Sequence, residues 1–226
     1  MDTGRLVEDI RTTLKAAGDA ERARGAQAYM KSEMPSWGVR VPDVRRITKA
    51  ALKHHPVKTP DDLRQAVLEL WRTAEAREER YAAIDLTGAR LVSGDPGMVP
   101  VYEEIIRTGA WWDLVDGVAP RICALLQANK ETMTPLLLQW SKDPDMWIRR
   151  SSITSQLAAK SATDTRLLSA VIEPNLQDKE FFIRKAIGWA LREYSKTDPG
   201  WVRAFADTHM AALSPLSRRE ALRLLF

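Results

Sequence analysis

Residues 112, 147 and 182 are Trp, Trp and Phe, two equal steps of 35. Trp147 stands in MWIRRSSI and Phe182 in FFIRKAIG, so aromatic-Ile-Arg-basic recurs in both. The same step reaches Ser217 in LSRREALR, and backwards it meets Arg77 in AREERYAA and Pro42 in VPDVRRIT. The outer matches are looser, yet every landing point lies near the start of an apparent helix that follows a short turn. A helix–turn–helix unit recurring at such a period predicts stacked helical pairs, each burying its apolar face against its neighbours.

Local patterning agrees. Apolar residues recur three and four apart, as in Leu6, Ile10 and Leu14, in Leu63, Val67 and Leu70, and in Leu167, Ala170 and Val171. Alternating, strand-like runs are scarce. Breaks fall at MPSWG (34–38), HPVKTP (55–60), SGDPG (93–97), KDP (142–144) and TDPG (197–200). Pro and Asp there suit helix starts, where a lost N–H costs little and a carboxylate can cap. The pattern predicts about a dozen helices of roughly 10–18 residues. At 226 residues the chain is long enough for a substantial core, and we expect one all-α domain over residues 1–226.

Equivalent positions in stacked repeats form a row on one surface. Three residues after each landing point come Arg45, Arg80, Val115, Arg150, Lys185 and Glu220, and one residue earlier come Val44, Glu79, Leu114, Arg149, Arg184 and Arg219. Most repeats therefore offer a cation near a helix N-terminus, where free N–H groups also favour anions. A curved row of such ends fits a phosphate backbone; a solvated face laced with salt bridges is the plainer alternative. The charge distribution leans the same way. Residues 141–226 hold 14 basic and 10 acidic residues, while the remainder is balanced at 20 and 20, so the net +4 lies in the C-terminal part.

One repeat departs from the row. AWWDLVDG (110–117) offers Trp112, Asp113 and Asp116 where its neighbours offer cations. A carboxylate inside a basic surface repels phosphate, so it suits a group that is cationic or becomes so during reaction. Asp113 and Asp116, three apart, share a helix face, and Asp113 is suited to offsetting the helix dipole.

Other chemistries lack material. Cys123 is the single cysteine, in an apolar helical context, which predicts a small buried hydrophobe and excludes a disulfide within the chain. His54 and His55 precede Pro56 with no acid or Cys nearby in sequence, which predicts a capping or surface role. There is no Gly-rich phosphate loop, Cys–His zinc pattern or nucleophile elbow. The N-terminus is amphipathic and unlike a signal peptide. No apolar run approaches the roughly 18 residues of a membrane span. A reducing cytoplasm is the expected setting.

Five ordered motifs carry a resemblance: AYMKSEMPSWGVRVPDVRRI (28–47), AWWDLVDGVAP (110–120), DMWIRRSSI (145–153), KEFFIRKAIGWALREYSKTDP (179–199) and LSRREALR (216–223). Over nearly its whole length the chain resembles the AlkD-like DNA glycosylases, the DNA alkylation repair proteins with HEAT-like repeats. The resemblance implies an all-α superhelical solenoid of antiparallel helix pairs with a concave basic groove for duplex DNA. It implies hydrolysis of the N-glycosidic bond of purines alkylated at N3 or N7, such as 3-methyladenine and 7-methylguanine, without drawing the base into a pocket. That contrasts with base-flipping glycosylases. The product would be an abasic site. Matched by motif, the family's aspartate corresponds to Asp116, its tryptophans to Trp112 and Trp189, and its arginine to Arg150.

We therefore expect a monomeric, monofunctional base-excision-repair hydrolase that needs no metal or cofactor and does not engage membranes. Asp116, Trp112 and Trp189 are the expected catalytic residues. DNA contacts are expected from Arg150, Trp147, Lys31, Tyr29, Arg184, Lys185, Arg218 and Arg219, with Arg149 left open. Trp147 shares the register of Trp112, whereas Trp71, Trp140 and Trp201 read as packing residues. The alternatives are a non-catalytic duplex-binding protein and a protein–protein scaffold, since a fold alone does not fix function.

Overall fold

The computed structural model describes residues 3–225, which contain thirteen α-helices and no strand. They form two compact units that divide between Val101 and Tyr102. The step of 35 lands within the first three residues of α3 (Val41–His54), α5 (Arg77–Leu86), α7 (Trp112–Ala128), α9 (Met146–Thr154), α11 (Phe181–Ser195) and α13 (Pro215–Leu222). The period is thus a period of helix starts. No helix of the described residues is long and apolar enough to cross a membrane.

In the first unit α1 (Thr3–Ala16) packs on α3, α4 (Pro60–Arg72) and α5, burying Leu6, Ile10 and Leu14. The motif SWGVR turns out to be architectural. Buried Glu78 collects the N–H groups of Trp37 (3.0 Å), Gly38 (2.8 Å) and Val39 (3.2 Å) and the Ser36 hydroxyl (2.7 Å). Gly38 is required there: its φ is +78°, and a Cβ would stand 2.2 Å from the Asp19 carbonyl oxygen. That contact ties down the start of α2 (Ala20–Met30), a helix with no buried residue. Asp19 N–H donates to the Trp37 carbonyl (2.7 Å) and Arg22 Nε to that of Gly38 (2.8 Å).

The second unit contains two rows of helices. In one, α7, α9, α11 and α13 pack in succession. In the other, α8 (Lys130–Trp140) packs on α10 (Thr165–Ile172), and α12 (Pro199–Thr208) packs against α11 and α13. The predicted breaks supply the caps: Asp145, Asp164, Asp198 and Ser214 each accept a backbone N–H from the first turn they precede, and Pro199 and Pro215 hold first positions. Such caps contribute about 1 kcal/mol each. α9, α10 and α13, with 9, 8 and 8 residues, are shorter than expected. α10 tightens into a 3-10 turn at Glu173–Asn175, where Pro174 has no N–H to continue the ladder. Trp71 and Trp140 are core residues at 2% exposure, Trp201 packs against Tyr194 and Phe205, and Cys123 is buried.

Candidate functional site

The site grows from three successive helices of the second unit. Trp111 is the N-cap of α7, Trp112 its first residue, and Asp116 lies one turn on, on the same face as Trp112. From α9, Arg150 reaches back to Asp116 with both arms of its guanidinium: Nε to Oδ1 at 2.8 Å and Nη2 to Oδ2 at 2.7 Å. Its third nitrogen, Nη1, donates to the Phe182 carbonyl at the start of α11, at 2.5 Å. The side chains are 6% and 15% exposed, so this is a buried, bidentate ion pair. Burial pushes the Asp116 carboxyl above the ordinary carboxylate range; the hydrogen bonds and charge of Arg150 pull it down, and Asp113 adds a smaller upward push. Arg150 thus favours the ionised form of a carboxylate that its surroundings would otherwise neutralise. Asp113 stands in the first turn of α7, where its charge complements the dipole.

The two adjacent tryptophans divide. Trp111 enters an aromatic cluster, its ring centroid 6.2 Å from Trp147 and 5.4 Å from Phe182; Trp147 and Phe182 are 4.9 Å apart, and Phe181 meets Phe182 edge-on at 5.4 Å. Trp147 is only 6% exposed. The expectation that it lines a nucleic-acid surface is therefore corrected: it is a core residue of the repeat seam. On α7 it is Trp111, one residue before Trp112, that joins Trp147 in this cluster, and one residue is about 100° of turn. Trp112 and Trp189 are half-buried, and neither side chain forms an aromatic pair or a hydrogen bond among the described residues. Trp189 lies seven residues after Phe182 on α11, two turns along the same face.

The row of cations is largely paired. Arg150, expected on DNA, bonds Asp116 and the Phe182 carbonyl through all three of its guanidinium nitrogens. Lys185 pairs with Glu220 at 3.1 Å, and Arg192 also binds Glu220. Arg149, left open by the sequence, bonds the carbonyls of Asp143 (2.7 Å) and Pro144 (3.0 Å) and the Asp178 carboxylate (3.0 Å). Arg80 lies over the Trp71 ring, 4.8 Å from its centroid. Salt bridges between repeats thus account for much of the periodicity in charge. Arg184, Arg218 and Arg219 have no ion pair among the described residues, and the buried Nε of Arg184 has no acceptor. Arg121 on α7, which the sequence did not single out, is half-buried in the same condition. In the first unit, Tyr29 is 74% exposed and Lys31 is exposed at the C-cap of α2. His55 Nε2 stands 3.3 Å from Asp9, an acid distant in sequence.

A buried arginine fixing a raised-pKa carboxylate, beside a half-exposed indole one turn away, is suited to stabilising positive charge. The model of a family described as DNA alkylation repair enzyme matches residues 10–225. The chain belongs to that family. A solved structure described as a predicted DNA alkylation repair enzyme from Enterococcus faecalis is 31% identical, covering 92% of this chain and 96% of its own, with a TM-score of 0.81. The Pseudomonas fluorescens alkylpurine DNA glycosylase AlkC, bound to DNA containing an abasic site analog, is 17% identical over 99% of this chain and 62% of its own, at a TM-score of 0.40. No curated protein sequence matches the chain. The match spans both units, and the family accounts for the stacked helical pairs and places the protein in repair of alkylated DNA.

Proposed function

We propose that the protein is a monofunctional DNA glycosylase that hydrolyses the N-glycosidic bond of purines carrying positive charge from alkylation at N3 or N7, acting as a monomer on duplex DNA and leaving an abasic site. The observation that carries this reading is the Asp116–Arg150 pair. A cationic purine is already a good leaving group and needs no general acid. As its bond to C1′ stretches, positive charge passes to the deoxyribose. A fixed carboxylate stabilises that charge and orients or deprotonates the attacking water. Asp116 has this role, and Arg150 positions it by holding both oxygens and favouring ionisation. Trp112, and Trp189 with it, present indole faces for cation–π contact with the alkylated nucleotide, worth up to about 2 kcal/mol when desolvated.

This chemistry asks for no deep pocket, because the charge develops at the sugar. Arg184 and Arg121 supply unpaired guanidinium groups for phosphate, and the exposed Tyr29 and Lys31 are the DNA contacts proposed for the first unit by itself. The test is release of free 7-methylguanine from methylated duplex by wild type and Asp116→Asn, with binding followed in parallel. Release should fall by about 100–1,000-fold in the variant with affinity retained, as expected for a group that acts on developing charge. Equal release by both proteins refutes the role of Asp116. Tight, salt-sensitive binding with no release from either protein indicates a duplex-binding relative without catalysis.

A further inference from the structure

The first unit does little to hold α2 as a helix. None of its 11 residues is buried, and it packs closely on no other described helix. Isolated helices shorter than about 12–15 residues are marginal in water, because nucleation is costly and few hydrogen bonds follow it. Gly25 sits near its centre, where the backbone freedom of glycine weakens a helix further. Nothing stands within 4 Å of the place a Cβ would take, so no close contact in the molecule calls for glycine there. At the C-cap, Lys31 holds φ +49°, a left-handed conformation that favours glycine. Beneath the helix lies a cavity of about 200 Å3, bordered by Ala26, Met30, Met34, Val39 and Tyr81. The underside therefore lacks the close packing that holds the other helices.

The ties that remain are local or lie at the two ends. Asp19 caps the first turn, accepting the Arg22 N–H at 2.9 Å. Asp19 N–H and Arg22 Nε reach the 37–38 carbonyls, and past the other end Arg77 donates to the Ser32 hydroxyl at 2.9 Å. Such anchors let the middle of a helix open and reclose at small cost. On its outer face Arg24 and Lys31 stand two turns apart, and neither has an ion pair among the described residues. We propose, on the duplex-binding reading above, that α2 is an arm that opens in the free protein and is ordered by duplex DNA, with Arg24 and Lys31 on backbone phosphates. Two unpaired cations beside the small side chain of Ala28 suit a polyanion and offer an apolar partner nothing to bury. The duplex thus supplies the stabilisation that packing does not.

The test is amide hydrogen exchange of the full-length protein, followed by mass spectrometry, alone and saturated with an unmodified synthetic duplex. In the free protein the amides of α2 should exchange far faster than those of α4, whose Leu63, Ala66, Val67 and Leu70 are fully buried. The duplex should slow α2 at least about tenfold. Gly25→Ala, which meets no neighbour, should tighten duplex binding about threefold to fivefold by lowering the cost of ordering, with Tm unchanged; Ala28→Gly should weaken it by a similar factor. Protection of α2 in the free protein equal to that of α4, or exchange unchanged in the bound state, overturns the proposal. So does a Gly25→Ala protein with raised Tm and unaltered affinity, the mark of a helix that is already fixed. Binding followed by anisotropy on the same duplex separates the two readings: absence of binding overturns both, whereas binding with α2 unaffected overturns the arm alone.

Discussion

Replacing Arg150 by alanine should disturb this protein more than any single change on its surface. The substitution removes two hydrogen bonds to Asp116 and one to the Phe182 carbonyl. It leaves a carboxylate that is 15% exposed with no counter-charge. Breaking a buried pair from one side costs about 3–5 kcal/mol. For a chain of this size each kcal/mol lowers Tm by about 2–4 °C, so the expected fall is roughly 6–20 °C. The pH dependence is the sharper diagnostic. Burial already raises the Asp116 carboxyl, and Arg150 opposes the rise. Without Arg150 the folded-state pKa rises further above the unfolded value. Folded protein then holds a proton where unfolded protein has released it, so the deficit is greatest above that raised pKa and shrinks as pH falls through it. Urea unfolding of wild type and variant at neutral and mildly acidic pH measures this directly. A neutral-pH deficit below about 1 kcal/mol, the worth of an exposed pair, or a deficit that grows in acid, refutes the buried-clamp description.

Other expectations follow from the same contacts. Gly188→Ala places a Cβ 2.5 Å from that of Glu220 and 3.0 Å from the Ser217 carbonyl oxygen; overpacking of about 1–3 kcal/mol should outweigh a helix-propensity gain of about 1 kcal/mol, giving a lower Tm. Glu220 is held below its ordinary range chiefly by Lys185, with Arg192 assisting. Its stabilisation is therefore present above the unfolded pKa and lost as pH falls through the lowered one, so Glu220→Gln should be less stable than wild type at neutral pH and converge with it in strong acid. Trp147→Ala should cost about 3–5 kcal/mol, whereas Trp112→Phe should leave the melting curve nearly unchanged and slow base release; the reverse pattern would undo the separation of core from site. The acid limb of the base-release profile should lie above the ordinary carboxylate range, because burial raises Asp116, and a limb within that range would argue against it.

Much of this was legible from repeated short-range chemistry. Helix starts recur because each carries the same local signals, a turn followed by a cap or proline and then an apolar period, and Trp112, Trp147 and Phe182 mark three of them. The family motif likewise pointed to Asp116 before any geometry was known. What the sequence did not reveal was orientation. Trp147 and Trp112 share a place in the period, yet Trp147 is buried against Trp111 while Trp112 is half-buried outside that cluster. The resemblance set Arg150 near Asp116, but the charge pattern alone offered it only to DNA, because the partner lies 34 residues away across a packed seam. Glu78 carried no sequence signal that set it apart, although it organises the 36–39 turn through three backbone N–H groups. Pairing between repeats depends on helix rotation, which composition does not encode.

The reach of Arg150 has a consequence for the order in which the molecule becomes competent. Its side chain joins α7, on which Asp116 stands, to α9, its own helix, and to the first turn of α11. Until α11 has docked, Nη1 lacks its acceptor, and the guanidinium is held only through Nε and Nη2 on Asp116. A nascent chain that has emerged through residue 180 already contains Asp116, Trp112 and Arg150, yet the pair lacks its third tie. The full bracing of this pair is thus a late event, coupled to completion of the seam rather than to synthesis of the two residues that form it.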